Sequence, residues 1–545
     1  MTKKTPIAQS FRATSQLIIA RISTIGYPGI RRLAEQLSLP KSTAHRHLQG
    51  QKHRDQYPES HFWETEAGAA FLRRLCCAVI YQFGLKNHIG AGQLSEFFHL
   101  IRIDIHVGVS ESALRQQMRE LEAELVRFQQ QQEAEALCPV PERTVAVDET
   151  FFSQLMILVM MDLPSGYLLL EEPAPDRSYE IWNARAGERL SCLGLTVKHV
   201  VSDRAKALIK LALTGFDCPS GADLFHAQYD LSRWLSLPLA GVTRQMAERG
   251  EKARNCLAKH LAKPRCAPDE TGRLQSKAQQ AENEHQQGLD AQQAYHQHQQ
   301  AISDIVHPFD PATGVAQDQA VVLAALQRES DAIEQLAEDR LVADPKGRLQ
   351  KFRKQMDDLS QHVGVWWLWI HTLLADCAPD PALSRWLSHQ LMPVMYWHFR
   401  LTKAKKSEHQ ALYRAAWIKA QKAFWEDAYT HRLTDKQITE WQQWCESKVK
   451  HFQRTSSAVE GRNGCLSQLY HKGRGLTPER LKALTVIHNY GIRQTDGTTP
   501  ANRLYERSFP DLFEGLLAEM KPLPLPRKRR GTKKANPLIY VECPA

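Results

Sequence analysis

The chain has 545 residues, with 70 Lys plus Arg against 60 Asp plus Glu and a formal net charge of +10. That length allows several domains and a large core, and the charge favours an anionic partner. The 11 cysteines show no paired CxxC spacing, and the sequence lacks an apolar run of about 18 residues. These patterns argue against structural zinc, a disulfide scaffold and a membrane partner. We expect a cytoplasmic protein.

The N-terminal region predicts two helices joined by a short turn. Apolar residues recur at helical spacing from Ile30 to Leu37, the pattern breaks at 38–40, and it resumes at 41–49. This arrangement is typical of a helix-turn-helix, which lays its second helix in the DNA major groove. An ordinary helical hairpin is the alternative. The outward side chains of the second helix are donors suited to phosphates and base edges: Lys41, Ser42, Thr43, His45, Arg46 and Gln49.

A segment of alternating strands and helices follows a helical region at 61–138. That helical region is compatible with a second DNA-binding module, a dimerising arm or plain scaffold. Short apolar and β-branched runs bounded by turn residues predict strands. The predicted order is strands at 144–148, 155–162 and 167–171, a helix at 178–190, a strand at 196–202, a helix at 204–213 and a strand at 222–225. We place Asp148 at the end of the first strand and Asp203 at the end of the fourth.

The remainder of the chain reads as mostly helical. Residues 275–300 are rich in Gln and predict a solvated or partly disordered helical arm, whereas the aromatic-rich stretch at 366–444 predicts a folded helical domain. Residues 455–457 cap a helix that carries Glu460. After Pro522 the chain is rich in proline and basic residues, which suits a flexible phosphate-binding arm.

Three carboxylates in these positions suit metal-dependent phosphodiester chemistry. Mg²⁺ prefers oxygen ligands, and two ions can clamp the attacking and leaving oxygens of an in-line displacement. We expect Asp148 to bridge two Mg²⁺ ions, with Asp203 holding one and Glu460 the other, and with Mn²⁺ able to substitute. For any one acid taken alone, turn or helix-dipole chemistry is the favoured alternative.

Other charged residues near these acids are either alternative candidates for the triad or candidates for an auxiliary role. Glu149 and Asp162 are the acids most easily confused with the triad, and Glu149 is expected to face away from Asp148 across the sheet. Arg204 and Arg462 are candidates for stabilising the charge of the phosphorane.

Three sequence segments resemble the DDE transposases of bacterial insertion sequences: VAVDETFF, HVVSDRAKAL and SSAVEGRNGCLSQLYHKGRG. The resemblance covers roughly residues 140–230 and 450–505. It implies a ribonuclease H-like core with Asp148, Asp203 and Glu460 as metal ligands. The sequence Asp223-Leu224-Phe225-His226 resembles the [C/D]-x-x-H signature of hAT-like and Mutator-like transposases, which implies that His226 lies near the scissile phosphate.

Those families also carry a helical insertion between the second and third acids. A Trp of the insertion can stack on a DNA base, and Trp366, Trp367 and Trp369 are the candidates here, although core packing is the favoured alternative for each. A buried strand histidine is the alternative for His226.

We therefore expect a multidomain α+β protein. The expected domains are a helix-turn-helix at 1–60, a helical domain at 61–138, a ribonuclease H-like mixed-sheet core at 139–230 and 451–510, an all-helical insertion at 231–450, and a basic tail at 511–545. The expected function is a DNA transposase, nucleoid-associated and at least dimeric, acting on terminal inverted repeats and target DNA. A ribonuclease H-like nuclease without strand joining, and a DNA-binding regulator derived from an inactive transposase, are the alternatives.

Overall fold

The computed structural model describes residues 11–56, 62–63, 65–153, 155–378, 380–472 and 476–526. The chain divides into two compact units, one formed by Met1–Ala134, Leu469–Gly491 and Phe509–Ala545, the other by Glu135–Gln468 and Ile492–Ser508. Most of the basic stretch after Pro522, residues 527–545, lies outside the described residues. Within the described residues, no helix has the length and apolar character that a membrane span requires.

The first unit is helical. Its N-terminal helices Ile30–Gln36 and Lys41–Gln56 lie where the sequence periodicity predicts them, and helix Phe11–Ile25 precedes them. Ile18, Leu33 and Ala44 are at most 1% exposed and form the small core between the three helices. The other helices of this unit are Glu66–Val79, Ala91–Leu100, Glu111–Ala134, Pro478–Val486 and Leu512–Glu519, with π-helical turns at Ile80–Lys86 and Ile487–Gly491. Helix Leu512–Glu519 was not predicted.

The second unit contains one five-stranded mixed sheet. Its strands are β1 (Glu142–Phe152), β2 (Leu155–Asp162), β3 (Tyr167–Pro173), β4 (Thr196–Ser202) and β5 (Ser220–Ala222), in the spatial order β3-β2-β1-β4-β5. β1, β2 and β3 pair antiparallel, whereas β4 is parallel to β1 and β5 is parallel to β4. The predicted meander and the predicted mixed sheet are confirmed.

A tight turn fixes the hairpin between β2 and β3. Gly166 has a φ of 75°, which L side chains rarely adopt, and its N–H donates to the Asp162 carbonyl at 2.8 Å. The side chain of Asp162 is fully buried and accepts from the Ser165 N–H at 3.0 Å. Asp162 is therefore a turn residue, held by the chemistry that short loops commonly use.

Two predicted boundaries are wrong. β1 continues to Phe152, so Asp148 lies inside the strand, because residues 149–152 still pair with β2 from Leu158 back to Leu155. β5 ends at Ala222, and the residues from Leu224 onward form a helix. The side chain of Asp223 accepts from the Phe225 N–H at 2.9 Å and caps that helix.

Helices of 5 to 38 residues complete the second unit. Their bounds are Tyr179–Leu193, Lys206–Lys210, Leu224–Leu261, Pro268–Ile305, Gln319–Asp339, Arg348–Cys377, Pro381–Trp386, Met392–Lys403, Ser407–Glu426, Asp435–Val449 and Pro500–Tyr505, with helix Ser457–His471 belonging to this unit through residue 468. Short π-helical turns at Leu211–Gly215 and Leu387–Leu391 and a 3₁₀ turn at Thr430–Arg432 link some of them.

The Gln-rich stretch forms part of an ordered helix pair. It lies within helix Pro268–Ile305, which packs along helix Leu224–Leu261, and both helices have 38 residues. Ala281, Ala291 and Tyr295 are buried in the contact. A Cβ on Gly288 would lie 2.9 Å from the Thr243 Oγ1, so the glycine permits the close approach of the two helices.

Candidate active site

The register of the sheet brings Asp148 and Asp203 together. Ala146 of β1 is opposite Val201 of the parallel strand β4. Continued by two residues, this register places Asp148 beside Asp203, which directly follows the end of β4. The carboxyl edge of neighbouring parallel strands is where such folds gather functional groups. The side chain of Asp148 is half-buried and that of Asp203 is exposed.

Glu460 and His226 are in direct contact. Glu460 lies in the first turn of helix Ser457–His471, and its Oε1 is 3.1 Å from Nε2 of His226. His226 lies in the first turn of helix Leu224–Leu261, so it is not a strand histidine. About one third of each side chain is exposed (33% and 35%), which leaves both available to a ligand.

Asp223 contacts residues at the starts of both helices, Leu224–Leu261 and Ser457–His471. Its side chain is fully buried, and its Oδ2 accepts a hydrogen bond from the Ser456 hydroxyl and lies 3.6 Å from His226 Nε2. The backbone N–H of Asp223 donates to the Ser202 carbonyl at 2.9 Å, which anchors the start of the helix to the end of β4. The buried carboxylate therefore positions His226 and does not itself face solvent.

Asn463 is a further member of the site. It lies one helical turn after Glu460, and its Nδ2 donates to Asp148 Oδ2 at 2.8 Å. Its Oδ1 is buried and has no hydrogen-bond partner among the described residues. A buried amide oxygen without a donor is unusual in a folded protein and is chemically suited to a cation. The spacing of Glu460 and Asn463 on one helix face is the sequence signal that indicates it.

The acids are close enough to affect one another. The pKa of Asp148 is raised to about 7, first by burial and then by the charge of Glu460, with a smaller contribution from Asp203 and an opposing one from His226. The site thus concentrates negative charge around a partly desolvated carboxylate.

The other charged residues considered from the sequence are engaged elsewhere. Glu149 accepts from Trp182 Nε1 at 3.1 Å, and burial raises its pKa. Arg462 forms a two-point ion pair with Glu171 at 2.7 and 2.6 Å, and Arg204 pairs with Asp358 at 2.8 Å. Neither arginine therefore points its charge at the acids, and both candidate assignments are wrong in this geometry.

The donor set fits an oxygen-preferring cation by chemistry. It comprises the carboxylates of Asp148, Asp203 and Glu460 and the unpaired amide oxygen of Asn463. Among the residues the structure describes, no three His, Cys, Asp or Glu side chains converge as a closed set of metal ligands. A metal held by this set would need rotamer changes of the exposed Asp203 side chain and the half-buried Glu460 side chain.

The three tryptophans are occupied inside the protein. Trp366 and Trp367 are 4% and 9% exposed and lie in the helical core. Trp369 donates through Nε1 to Glu142 at 3.1 Å, and its ring is covered by the Lys198 ammonium, 3.0 Å from the ring centroid. Core packing, the favoured alternative, therefore describes Trp366 and Trp367, whereas Trp369 is half-buried with its ring covered by Lys198.

The outward face of helix Lys41–Gln56 lies in the first unit. Lys41, Ser42, His45, Arg46 and Gln49 are exposed, and Thr43 is half-buried. Ala44 and His47 face inward, and His47 Nδ1 is 2.7 Å from the Ser15 hydroxyl. The helix thus presents the polar side chains that the sequence pattern predicts for its outer surface.

Comparison with known proteins gives one family match. Residues 387–532 match a family described as "Family of unknown function (DUF6399)". The matched part includes Glu460 and Asn463 but not Asp148, Asp203 or the N-terminal helices. No curated protein matches the chain.

Proposed function

We propose that this protein is a DNA transposase that cuts and joins DNA strands with a triad of Asp148, Asp203 and Glu460. The observation that carries the proposal is that the three separate elements bearing these acids come together around Asp148. Asp148 lies on the central strand β1, Asp203 follows the neighbouring strand β4, and Glu460 lies on helix Ser457–His471. The electrostatic influence of both other acids on Asp148 supports their proximity.

The sheet supports a ribonuclease H-like core. An antiparallel meander of three strands, extended beside β1 by two parallel strands, is the arrangement that the resemblance implies. The large helical segment between Asp203 and Glu460 fits an insertion in that core. The exposed polar face of helix Lys41–Gln56 supports recognition of DNA ends by the same chain.

The chemistry assigns a role to each residue. Asp148, Asp203 and Glu460, with the Asn463 amide, would hold Mg²⁺, which supplies charge neutralisation at the scissile phosphate and activation of the attacking oxygen. Asn463 holds the Asp148 carboxylate in position through the 2.8 Å hydrogen bond. His226, held by Glu460 and Asp223 through its Nε2, would lie near the scissile phosphate. Water would attack first to free a 3′ hydroxyl, which would then attack target DNA.

We expect Asp203→Asn to eliminate excision. The variant removes one carboxylate from an exposed position, so folding and DNA binding should persist while strand cleavage falls by about 10³-fold or more. The measurement is excision and joining, with Mg²⁺, of a DNA segment that carries the sequences flanking the gene. Cleavage by Asp203→Asn at the wild-type rate would contradict the triad.

Asp217→Asn is the matched control. It makes the same chemical change at an exposed residue whose φ is 52°, a region that Asn tolerates well, and it should cut as wild type does. Cleaved but unjoined products would favour a nuclease. Retained DNA binding without any wild-type cleavage would favour the regulator.

Helix Lys41–Gln56 yields a second prediction, on specificity. Gln49→Ala should relax the sequence preference at one base pair, lowering the discrimination between the right and the wrong base by about 1–3 kcal/mol. Lys41→Gln should instead weaken binding to all DNA sequences and lower the slope of log affinity against log salt concentration by about 0.9. Titrations of an end-sequence duplex and a scrambled duplex at several salt concentrations separate these effects. Gln116→Ala, exposed on helix Glu111–Ala134, is the control. Equal behaviour of all three variants would argue against this helix as the DNA reader.

A further inference from the structure

A cleft of about 520 Å³ lies beside the candidate active site, within the second unit. Its wall includes Phe225, next to His226, and Ser457 and Ala458, in the same helical turn as Glu460. The opposite wall comes from the end of helix Met392–Lys403 and the segment that follows it. The cleft therefore starts where the candidate active site ends.

The wall of the cleft is strongly cationic. It carries five Lys or Arg residues and His409, and no Asp or Glu. Lys405 and Lys406 are exposed and form no ion pair within the described parts of the chain, while exposed Lys403 donates to the neutral side chain of Gln494. The wall thus carries a net positive charge, while Asp304 acts electrostatically on Arg454 and His409, and Asp496 on Lys403.

Two arginines deepen the positive charge. Arg454 is 7% exposed and donates to the backbone carbonyls of Ser303 and Val306. Arg400 has a buried Nε without a hydrogen-bond partner among the described residues. Burial, followed by the charge of Arg400, lowers the pKa of Arg454. Buried cations at the base of a cleft whose wall carries no carboxylate favour an anionic ligand.

An aromatic pair lies at the edge of the cleft. Phe225 and Tyr229 are 44% and 49% exposed, and their rings stack at 6.2 Å between centroids with planes 13° apart. A second cavity of about 270 Å³ contains both rings and shares Phe225, Lys406 and His409 with the first. Exposed aromatic rings next to cations form the combination that binds unpaired nucleotides.

We propose that this cleft binds an unpaired DNA strand, with its phosphates on Arg400, Lys403 and Lys406 and a base on the Phe225–Tyr229 pair. That this strand leaves the candidate active site is an inference that rests on the proposed function. The cationic wall and the aromatic pair themselves do not depend on it. The cleft would then hold the strand next to the bond being cut.

Binding of a fluorescent single strand of about 12 nucleotides, in EDTA and with excess unlabelled duplex, tests the phosphate contacts. Lys403→Gln/Lys406→Gln should weaken binding about 10-fold and lower the salt slope by about 1.4, because two phosphate contacts are lost. Lys422→Gln/Lys436→Gln removes the same charge from exposed lysines outside the cleft and should bind as wild type does. Equal affinity and slope for the two double variants would overturn the proposal.

The aromatic pair has its own test. Phe225→Ala should weaken the single strand about 10-fold without changing the salt slope, since it removes stacking and no charge. Trp425→Ala, at a ring that is 54% exposed, is the control. Wild-type affinity of Phe225→Ala, or an equal loss in Trp425→Ala, would contradict the stacking role.

Two further arms identify the ligand. Competition by inorganic pyrophosphate or a free nucleotide as effective as by the strand would replace the strand with a small phosphate ligand and overturn the proposal. If wild type excises DNA and the cleft variants bind the strand like their controls, the cleft proposal is overturned and the proposed function stands. If the cleft variants lose affinity as expected and wild type does not excise DNA, the proposed function is overturned and the cleft proposal stands.

Discussion

Asp148→Asn should abolish strand cleavage while making the metal-free protein more stable. Cleavage should fall by about 10³-fold or more, because the triad loses its central carboxylate. Stability should rise by about 1–2 kcal/mol at neutral pH, because a partly buried charge near Glu460 and Asp203 is removed. The side-chain oxygen of the new amide can still accept the hydrogen bond from Asn463.

The pH dependence has a defined sign. The folded-state pKa of Asp148, about 7, lies above its ordinary value of 3.8, so the folded protein holds this proton more tightly than the unfolded chain does. The wild type should therefore lose stability relative to Asp148→Asn as the pH rises from about 4 to about 7. Denaturant unfolding in EDTA at several pH values measures this difference.

Magnesium should offset much of this stability difference. A cation that binds only the folded state stabilises it by about 1.4 kcal/mol at ten times its dissociation constant, so Mg²⁺ should raise the melting temperature of wild type and not that of Asp148→Asn. Asp217→Asn should respond to Mg²⁺ as wild type does. Equal stabilisation of all three proteins by Mg²⁺ would place the metal elsewhere.

The pairing of the two aspartates is predictable from local sequence. Short apolar runs and the turn at 163–166 define strands, and the rule that a strand after a crossover helix packs parallel brings the ends of β1 and β4 to one edge. The same reasoning wrongly ends β1 at Asp148, although Thr150, Phe151 and Phe152 are strand-forming residues that continue the pairing with β2. It also mistakes Leu224 and Phe225 for strand, because the cap supplied by Asp223 is visible only in three dimensions.

Contacts between distant residues set the rest of the site. Asn463 and Asp148 are 315 positions apart, and Arg462 and Glu171 are 291 apart, so no local pattern relates them. The cationic cleft likewise combines helix Met392–Lys403 with the segment around Arg454 and the start of helix Leu224–Leu261. Because these residues are so far apart in the sequence, tertiary packing decides which of them pair. Local periodicity does not encode that packing.

The ion pair between Arg462 and Glu171 should be the largest single contribution to the placement of Glu460. Both residues are buried, at 6% and 5% exposure, and the pair fixes helix Ser457–His471 against β3. Arg462→Met should destabilise the protein by about 3–5 kcal/mol, because it removes the Arg462 charge and its two hydrogen bonds from a buried carboxylate. Equilibrium unfolding in denaturant measures the loss.

The double variant Arg462→Met/Glu171→Leu separates charge burial from packing. Removing both charges should recover most of the stability, because a buried ion pair is often no better than an apolar pair of similar volume. Cleavage should recover less than stability, because Glu460 lies two residues before Arg462 and depends on the orientation of the helix start. A coupling energy near zero in the double-mutant cycle would mean that the pair does not hold the helix. Cleavage restored in step with stability would mean instead that Glu460 is positioned by His226 and Asp223 alone.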